Sequence, residues 1–382
     1  MDASKRLLIA DALMGIVQKA RHGGPLLKIG LMATGGELGA EEILRGGLLA
    51  QEANPGVQVV AIGPRIPGFD GLEWMETPDC EVDVTAAVAK ATTAGAVAGV
   101  VAMHFPFPIG VTTIGRSLTP GRGKPMFIAS CTGFSGSSRW EALLRNAVYG
   151  IATAKALGVA RPTVALLNQD GAGPVFRALG RMKEQGYDIN FGTSLRGDGG
   201  ALLRGNDLVS GAVDVLVCDT LTGNALIKIF ATFTSGGQYE SVGWGYGPSV
   251  GEGWRRIISI VSRASGAPVI ANAIAMTAKM AAGGLPDLVA SELRAARVAG
   301  FDAALEQLKP KESVKAIKKP PAVPVDAEIS GVDVMDMEAA VQTLWKAGIY
   351  AEAAMGCTGP VVRVQAAAKD NSVDILRQSG FI

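Results

Sequence analysis

Short, uninterrupted apolar segments alternate with helical patterns along most of this 382-residue chain. The first apolar segment, 26–33, leads through a glycine-rich turn into a helical pattern over 40–53, and a second apolar segment follows at 57–63. Continuous apolar strands of this kind are typical of parallel sheets that helices cover on both faces. The alternation therefore predicts an α/β fold with a mostly parallel sheet.

The same alternation continues along the chain. Further buried strands are predicted at 97–103, 125–130, 163–168, 213–219 and 268–271, and further helices at 82–95, 139–157, 171–186, 223–234, 254–265 and 286–308. One helix is predicted before the sheet and ends at 23–25. The Lys- and Pro-rich residues 309–327 are typical of a solvated linker. After them we expect a small unit with a helix at 336–347, strands at 349–355 and 361–364, and a final helix.

Composition excludes several classes of function. Lys and Arg number 36 and Asp and Glu number 35, so the chain lacks the basic excess of a dedicated nucleic-acid surface. The four cysteines and two histidines are too scattered for a structural zinc site, and no metal is expected. Every stretch of about 20 residues that is otherwise apolar contains a charge or a proline, so no membrane span is expected. These features predict a soluble, cytoplasmic protein.

Two polar, glycine-containing turns follow predicted strands, where α/β sheets bind ligands. The first is Thr34, Gly35 and Gly36, whose backbone N–H groups could bind an anion at the start of the next helix. A plain tight turn is the alternative, because nearby glutamates also complement the helix dipole. We expect this turn to share one cleft, and a bound phosphate, with the second turn.

The second turn is Thr222, Gly223 and Asn224, with Lys228 one helical turn later. Its hydroxyl, amide, backbone N–H groups and ammonium could together hold a phosphate or an acyl carbonyl. The alternative is an ordinary helix start capped by Thr222.

Three further residues and one segment are candidates for a functional role. His104 follows a predicted strand and could act as an acid or base, although a lone histidine is more often structural. Cys131 and Cys357 both begin Cys-Thr-Gly turns, which could expose the sulfur and lower the pKa of the thiol. The glycine- and aromatic-rich residues 235–254 predict a lid or a partner surface, because a long loop of this composition is rarely passive.

Four segments resemble motifs of the PlsX-type phosphate acyltransferases. They are IGLMATGGELGAEEILRGGLLA, RPTVALLNQDGAG, VDVLVCDTLTGNALIK and AAMGCTGPVVRV, and together they span nearly the whole chain. The third contains the family's most distinctive motif, a strand ending in Asp followed by TGN and then Lys. The resemblance implies a two-lobed, three-layer α/β/α fold like that of phosphotransacetylases and isocitrate dehydrogenases. It assigns 1–150 and 325–382 to the first lobe and 151–324 to the second, with the site in the cleft between them.

Other features depart from the phospholipid enzyme and are similar to the alpha subunits of component C of glycine, sarcosine and betaine reductase complexes. They are the loop YESVGWGYGPSVGEGW, the inserted linker and Cys357 in the C-terminal glycine turn. The family's implied role is acyl transfer to phosphate, in which an acetyl thioester on component C is cleaved to acetyl phosphate. The implied partners are the beta subunit of component C and the selenoprotein component A, and a homo-oligomer stays open. Inorganic phosphate is the implied co-substrate, without a bound cofactor.

The resemblance also implies roles for the candidate residues. Cys357 would carry the acetyl group. Donors for the oxyanion and the phosphate would come from Asn224 and Lys228 and from the residues Thr34, Gly35, Gly36, Thr222, Gly223, Thr358 and Gly359. Two alternatives stay open: a phosphate acyltransferase of phospholipid synthesis, which needs a long apolar channel and no cysteine, and a non-catalytic scaffold subunit, in which Cys357 is dispensable. The sequence does not separate glycine, sarcosine and betaine as the upstream substrate.

Overall fold

The structure, a computed structural model, describes residues 26–197, 199–200, 202–309, 319–332, 336–356 and 359–382. Contacts divide the chain into two compact units, Met1–Lys309 and Pro310–Ile382. The helix predicted before 23–25, and residues 310–318 of the predicted linker, lie outside the described residues. The division into lobes at residues 150 and 324 stays a prediction.

A twelve-stranded mixed sheet runs through the first unit. Its strands are β1 (Leu27–Met32), β2 (Val57–Gly63), β3 (Glu73–Glu76), β4 (Gly99–Ala102), β5 (Val111–Leu118), β6 (Pro125–Gly133), β7 (Thr163–Leu167), β8 (Asn190–Phe191), β9 (Leu202–Leu203), β10 (Val215–Val217), β11 (Gly247–Gly251) and β12 (Ile258–Ile260). They lie in the order β3-β2-β1-β4-β12-β11-β5-β6-β10-β7-β8, and β9 also pairs with β7.

Nine α-helices pack around this sheet in the described part of the first unit. They are α1 (Ala40–Ala53), α2 (Glu81–Thr93), α3 (Arg139–Ala156), α4 (Ala172–Glu184), α5 (Gly205–Ser210), α6 (Thr220–Thr232), α7 (Ala267–Ala282), α8 (Leu285–Val298) and α9 (Phe301–Leu308). None of the described helices is long and apolar enough to cross a membrane.

The sheet consists of two parallel halves that run in opposite directions. The strands β1, β2, β3, β4 and β12 are parallel to one another, and so are β6, β7, β8, β9 and β10. Between the halves, β11 is antiparallel to both β12 and β5, and β5 is antiparallel to β6. The carboxyl ends of the two halves therefore point to opposite edges of the sheet.

Helices cover both faces of the sheet. Strand β6 shows this directly, because its side chains alternate between two cores. Phe127 and Ala129 pack in the core that includes residues of α3, α4 and α8, whereas Met126 and Ile128 pack in the core that includes residues of α2 and α6. The predicted α/β class with a mostly parallel, helix-covered sheet is confirmed.

Three local predictions are wrong. Residues 268–271 belong to helix α7 rather than to a strand, and Pro268 stands in its first turn, where a helix tolerates proline. Residues 254–265 contain strand β12 rather than a helix, because periodicity does not separate a short apolar strand from a helix. The predicted helix over 286–308 is two helices, which Gly300 interrupts with its φ of +85°.

The glycine-rich segment 235–254 is not an exposed lid, which corrects the expectation from its composition. Strand β11 lies within it and is buried in the middle of the sheet. Gly247 has a φ of +83°, and a Cβ atom there would lie 1.8 Å from the carbonyl oxygen of Ile114. Only glycine fits so close an approach. The chain itself covers the aromatic side chains: the Cζ atom of Arg116, for example, lies 4.2 Å from the centroid of the Trp244 ring.

The second unit is a small antiparallel sheet packed against two helices. Its elements are β13 (Ala327–Ile329), α10 (Met337–Lys346), β14 (Ala351–Gly356), β15 (Gly359–Val364) and α11 (Lys369–Gln378), with the strand order β13-β15-β14. Ile329, Leu344 and Val362 are among its buried core residues. The predicted helix at 336–347, strands at 349–355 and 361–364 and final helix are confirmed. Cys357 and Thr358, between β14 and β15 in the sequence, lie outside the described residues.

Candidate functional site

The first turn of α6 is capped by Asp219. Its carboxylate accepts hydrogen bonds from the backbone N–H of Thr222 at 3.0 Å and from the Thr222 hydroxyl at 2.7 Å. The cap is therefore Asp219 rather than Thr222, which corrects the alternative considered from the sequence. Because the carboxylate already satisfies the N–H of Thr222, an anion at this helix start competes with Asp219.

The rest of the TGN motif docks α6 onto strand β6. A Cβ atom at Gly223 would lie 1.8 Å from the carbonyl oxygen of Ser130. The side-chain amide of Asn224 donates a hydrogen bond of 3.1 Å to the carbonyl oxygen of Cys131. The Thr220 hydroxyl shares a hydrogen bond of 2.9 Å with the Ser130 hydroxyl. The motif thus has a structural function: its contacts hold the start of α6 on β6, and this sets where the later residues of α6 lie.

Lys228, one turn beyond Asn224 on α6, has two acceptors. Its Nζ atom lies 2.9 Å from Oε1 of Glu240 and donates a hydrogen bond of 2.5 Å to the hydroxyl of Ser262. Glu240 is fully buried, whereas 43% of the Lys228 side chain is exposed. An ammonium has three N–H donors. Lys228 therefore keeps one donor beyond these two acceptors, on a side chain that solvent reaches.

The Thr34–Gly36 turn lines a cavity of about 200 Å³ at the carboxyl edge of the first half-sheet. Its walls are formed by Met32, Thr34, Gly35, Asp79, Glu81, His104 and Arg263. The turn is held by a hydrogen bond of 2.7 Å from the backbone N–H of Glu37 to the carbonyl oxygen of Arg263. The cavity mixes backbone groups with charges of both signs, so it suits a small polar ligand.

His104 lies in this cavity with a carboxylate beside it. Its Nε2 atom is 2.9 Å from Oε1 of Glu81. Its Nδ1 atom is buried and has no hydrogen-bond partner among the described residues. When Nε2 carries the proton and donates it to Glu81, Nδ1 is left as an acceptor. The ion-pair partner Glu81 was not singled out from the sequence.

The structure separates the predicted site into two groups. Lys228 and Glu37, the residue after the Thr34–Gly36 turn, contact neighbouring residues: the Lys228 side chain donates to Ser262, and the Glu37 backbone N–H donates to Arg263. Thr222 belongs to a strand end at the opposite edge of the sheet. The expectation that both turns lie at strand ends facing one cleft is therefore wrong. The antiparallel strands β5 and β11, which the sequence analysis did not predict, reverse the strand direction between them.

The Cys-Thr-Gly sequence does not expose Cys131. Strand β6 continues through it, and its side chain is fully buried and donates to the carbonyl oxygen of Ile128. Burial raises the pKa of the Cys131 thiol to about 12. Cys131 therefore lacks the accessible thiolate that a nucleophile needs.

We expect iodoacetamide to modify Cys80 in the folded protein and to leave Cys131 and Cys218 unmodified. Cys80 is exposed, whereas burial removes the other two thiols from the reagent and raises the pKa of Cys218 as well. Peptide mapping by mass spectrometry measures the result, with urea-unfolded protein as the control in which every cysteine reacts. Modification of Cys131 before unfolding would contradict this account of β6.

Sequence reasoning missed Glu240, Ser262, Glu81 and Ser130. Glu240 stands in the glycine-rich segment and Ser262 just after β12, and no spacing in the sequence connects either of them with Lys228. Only the return of the chain along the sheet brings them together. In the described ranges, no group of three or more His, Cys, Asp or Glu side chains is placed to hold a metal ion.

Comparisons with known proteins agree with the motifs. The family model described as fatty acid synthesis protein matches residues 27–363. The glycine/sarcosine/betaine reductase complex component C subunit alpha of Peptoclostridium acidaminophilum is 46% identical over 98% of this chain and 96% of that protein. A phosphate acyltransferase of Thermotoga petrophila is 29% identical over 54% of this chain and 69% of that protein. A solved branched-chain phosphotransacylase from Enterococcus faecalis V583 aligns with a TM-score of 0.42 at 15% identity, over 67% of this chain and 99% of that chain.

The fold and the sequence relatives define the class, an α/β protein related to phosphate acyltransferases. The chain belongs to the PlsX-like family described as fatty acid synthesis protein, and within it to the group of component C alpha subunits. The resemblance read from the motifs is thereby confirmed.

Proposed function

We propose that this chain is the alpha subunit of component C of a glycine, sarcosine or betaine reductase complex, and that it transfers an acetyl group to phosphate. The observation that carries the proposal is the 46% identity to such a subunit over 98% of the chain. The phosphate acyltransferase relatives support the type of reaction. Its partners would be the beta subunit of component C and the selenoprotein component A.

The proposed reaction starts from an acetyl thioester on Cys357. An oxygen of phosphate forms a bond to the acetyl carbonyl carbon, and the carbon–sulfur bond breaks. The electron pair leaves with sulfur, which takes up the proton that phosphate loses, so the products are acetyl phosphate and the free thiol. A thioester keeps the acetyl group activated, so phosphate is the one co-substrate and no bound cofactor is proposed.

Lys228 is the proposed anchor for phosphate, supported by its third N–H donor and by the exposure of its side chain. The Thr34–Gly36 turn would bind phosphate oxygens through backbone N–H groups. His104, which lines the cavity beside this turn and has its Nε2 atom 2.9 Å from Oε1 of Glu81, is proposed to pass the phosphate proton on to sulfur. Further donors are proposed from Thr358 and Gly359. The structural functions of Thr222, Gly223 and Asn224 on α6 weigh against a direct part for them.

The experiment is the exchange of labelled inorganic phosphate into acetyl phosphate by the full chain, alone and with its beta subunit. We expect exchange that requires no upstream amine substrate, because the acetyl thioester forms reversibly. A phosphate acyltransferase of phospholipid synthesis would instead transfer from an acyl-carrier thioester and would not exchange acetyl phosphate. A scaffold subunit would catalyse neither reaction, so the three candidate functions give three different results.

A further inference from the structure

The ammonium of Lys228 is held by a carboxylate that is itself fixed from several sides. Glu240 is fully buried, and its Oε1 lies 2.9 Å from Nζ of Lys228. Oε1 also accepts a hydrogen bond of 3.2 Å from the Tyr246 hydroxyl, and Oε2 accepts one of 2.8 Å from the Ser265 hydroxyl. Burial and the neighbouring carboxylate raise the pKa of Tyr246, so its hydroxyl stays a donor.

The backbone of Glu240 is equally constrained. Its N–H donates to the carbonyl oxygen of Ala264, and its own carbonyl oxygen accepts from the N–H of Gly266, both at 2.9 Å. The carboxylate would therefore stay in place even without Lys228. Glu240 is thus fastened by its backbone to the loop after β12, and it directs the flexible side chain of Lys228 rather than the reverse.

We propose that Glu240 is a positioning residue, which together with Ser262 orients Lys228 so that its third N–H donor faces phosphate. The inference rests on the proposed function, in which Lys228 binds phosphate. Once two of the three N–H groups of an ammonium are engaged, the direction of the third is set by tetrahedral geometry. A donor aimed before the substrate arrives needs no reorganisation during the reaction.

The kinetic test is Glu240→Gln, which keeps the size of the side chain and removes its charge. The ammonium of Lys228 keeps its attraction for phosphate but loses its fixed direction. We expect kcat of the exchange to fall about 10- to 100-fold, with no rise in KM for phosphate. Lys228→Met removes the charge itself and should raise KM for phosphate at least about tenfold. An unchanged kcat in Glu240→Gln, or a rise in KM equal to that of Lys228→Met, would overturn the proposal.

A matched control exists in the same unit. Lys155 also pairs with a largely buried carboxylate, that of Glu292, which in turn accepts a hydrogen bond from the Tyr187 hydroxyl. This second Lys–Glu–Tyr group lies among α3, α8 and the residues after α4, and none of its hydrogen bonds goes to a candidate residue that the structure describes. Glu292→Gln should lower the melting temperature. Unlike Glu240→Gln, it should not lower kcat of the exchange selectively while leaving KM for phosphate unchanged. Ser262→Ala removes the other acceptor of Lys228 and leaves Glu240 intact, so it should also lower kcat. This variant tests the proposal if Glu240→Gln does not fold.

A chemical readout separates this proposal from the proposed function. Acetic anhydride modifies lysine amines, and mass spectrometry of the full chain gives the rate at Lys228 with and without inorganic phosphate. We expect Glu240→Gln to raise that rate roughly tenfold, because the amine no longer leaves an ion pair before it reacts. Phosphate should protect Lys228 in the unmodified protein and protect it less in Glu240→Gln. Protection that is the same in both proteins would overturn the positioning role, whereas protection without any exchange activity would contradict the acetyl transfer instead.

Discussion

Replacing Cys357 with serine is expected to reduce the exchange of labelled phosphate into acetyl phosphate by about 10³-fold or more, the scale on which a covalent nucleophile contributes. A serine hydroxyl in the same position is a far weaker nucleophile and a poorer leaving group than a thiolate. The effect is predicted for the cysteine that the resemblance assigns as the acetyl carrier. It is measured as the initial rate of exchange at saturating acetyl phosphate.

Two other cysteines provide the controls. Cys131→Ser changes a fully buried thiol on strand β6, and Cys80→Ser changes an exposed one at the start of α2. Both variants should keep most of the exchange activity, and Cys131→Ser should lose some stability because it buries a hydroxyl. Exchange retained in Cys357→Ser would move the acyl carrier elsewhere and favour direct transfer without a covalent enzyme intermediate.

Gly223→Ala is expected to destabilise the first unit by about 3 kcal/mol, at the upper end of what overpacking costs. The added Cβ would lie 1.8 Å from the carbonyl oxygen of Ser130, and both atoms belong to backbone that cannot rotate away. To relieve the contact, α6 has to move away from β6. That movement also displaces Lys228 from Glu240 and Ser262, so exchange activity should fall with stability. Urea unfolding monitored by circular dichroism measures the loss.

Gly180→Ala is the matched control for this prediction. Gly180 also lies inside a helix, α4, but a Cβ atom there would meet nothing within 4 Å. The substitution should stabilise the protein by roughly 0.5–1 kcal/mol, because alanine favours the helix. Equal stability of the two variants would show that the close approach of α6 to β6 is not as tight as described.

Of the parallel strands, β3, β8, β9 and β12 were not predicted, since β3 is the polar sequence EWME, β8 and β9 have two residues each, and β12 lies in a segment predicted as a helix. The parallel strands β1, β2, β4, β6, β7 and β10 were predictable because each is a short, largely apolar run. The strands that connect the two halves were not. Strand β5 contains Thr112, Thr113 and Arg116, and β11 is the glycine-rich sequence GPSVG, so neither shows a buried strand's composition. These two antiparallel strands reverse the direction of the second half-sheet. Because the sequence does not reveal these two strands, all polar turns were expected at one edge of the sheet.

The candidate site was predictable where the signal is local. The spacing of Asn224 and Lys228 puts both on one helix, and the structure shows α6 there. The partners of Lys228 were not predictable, because Glu240 and Ser262 come from separate segments that meet only in the folded sheet. Cys131 shows the opposite error. Its turn-like sequence suggested an exposed sulfur, but the strand pairs with β5 through this region and buries it.

The central claim is that an acetyl group passes between phosphate and Cys357. The most direct measurement is mass spectrometry of the intact and digested full chain after incubation with acetyl phosphate, followed by treatment with neutral hydroxylamine, which cleaves thioesters. The account predicts a single acetyl adduct that maps to the peptide containing Cys357, disappears with hydroxylamine and is absent from Cys357→Ser. An adduct on another residue, or exchange activity without any adduct at Cys357, would contradict it.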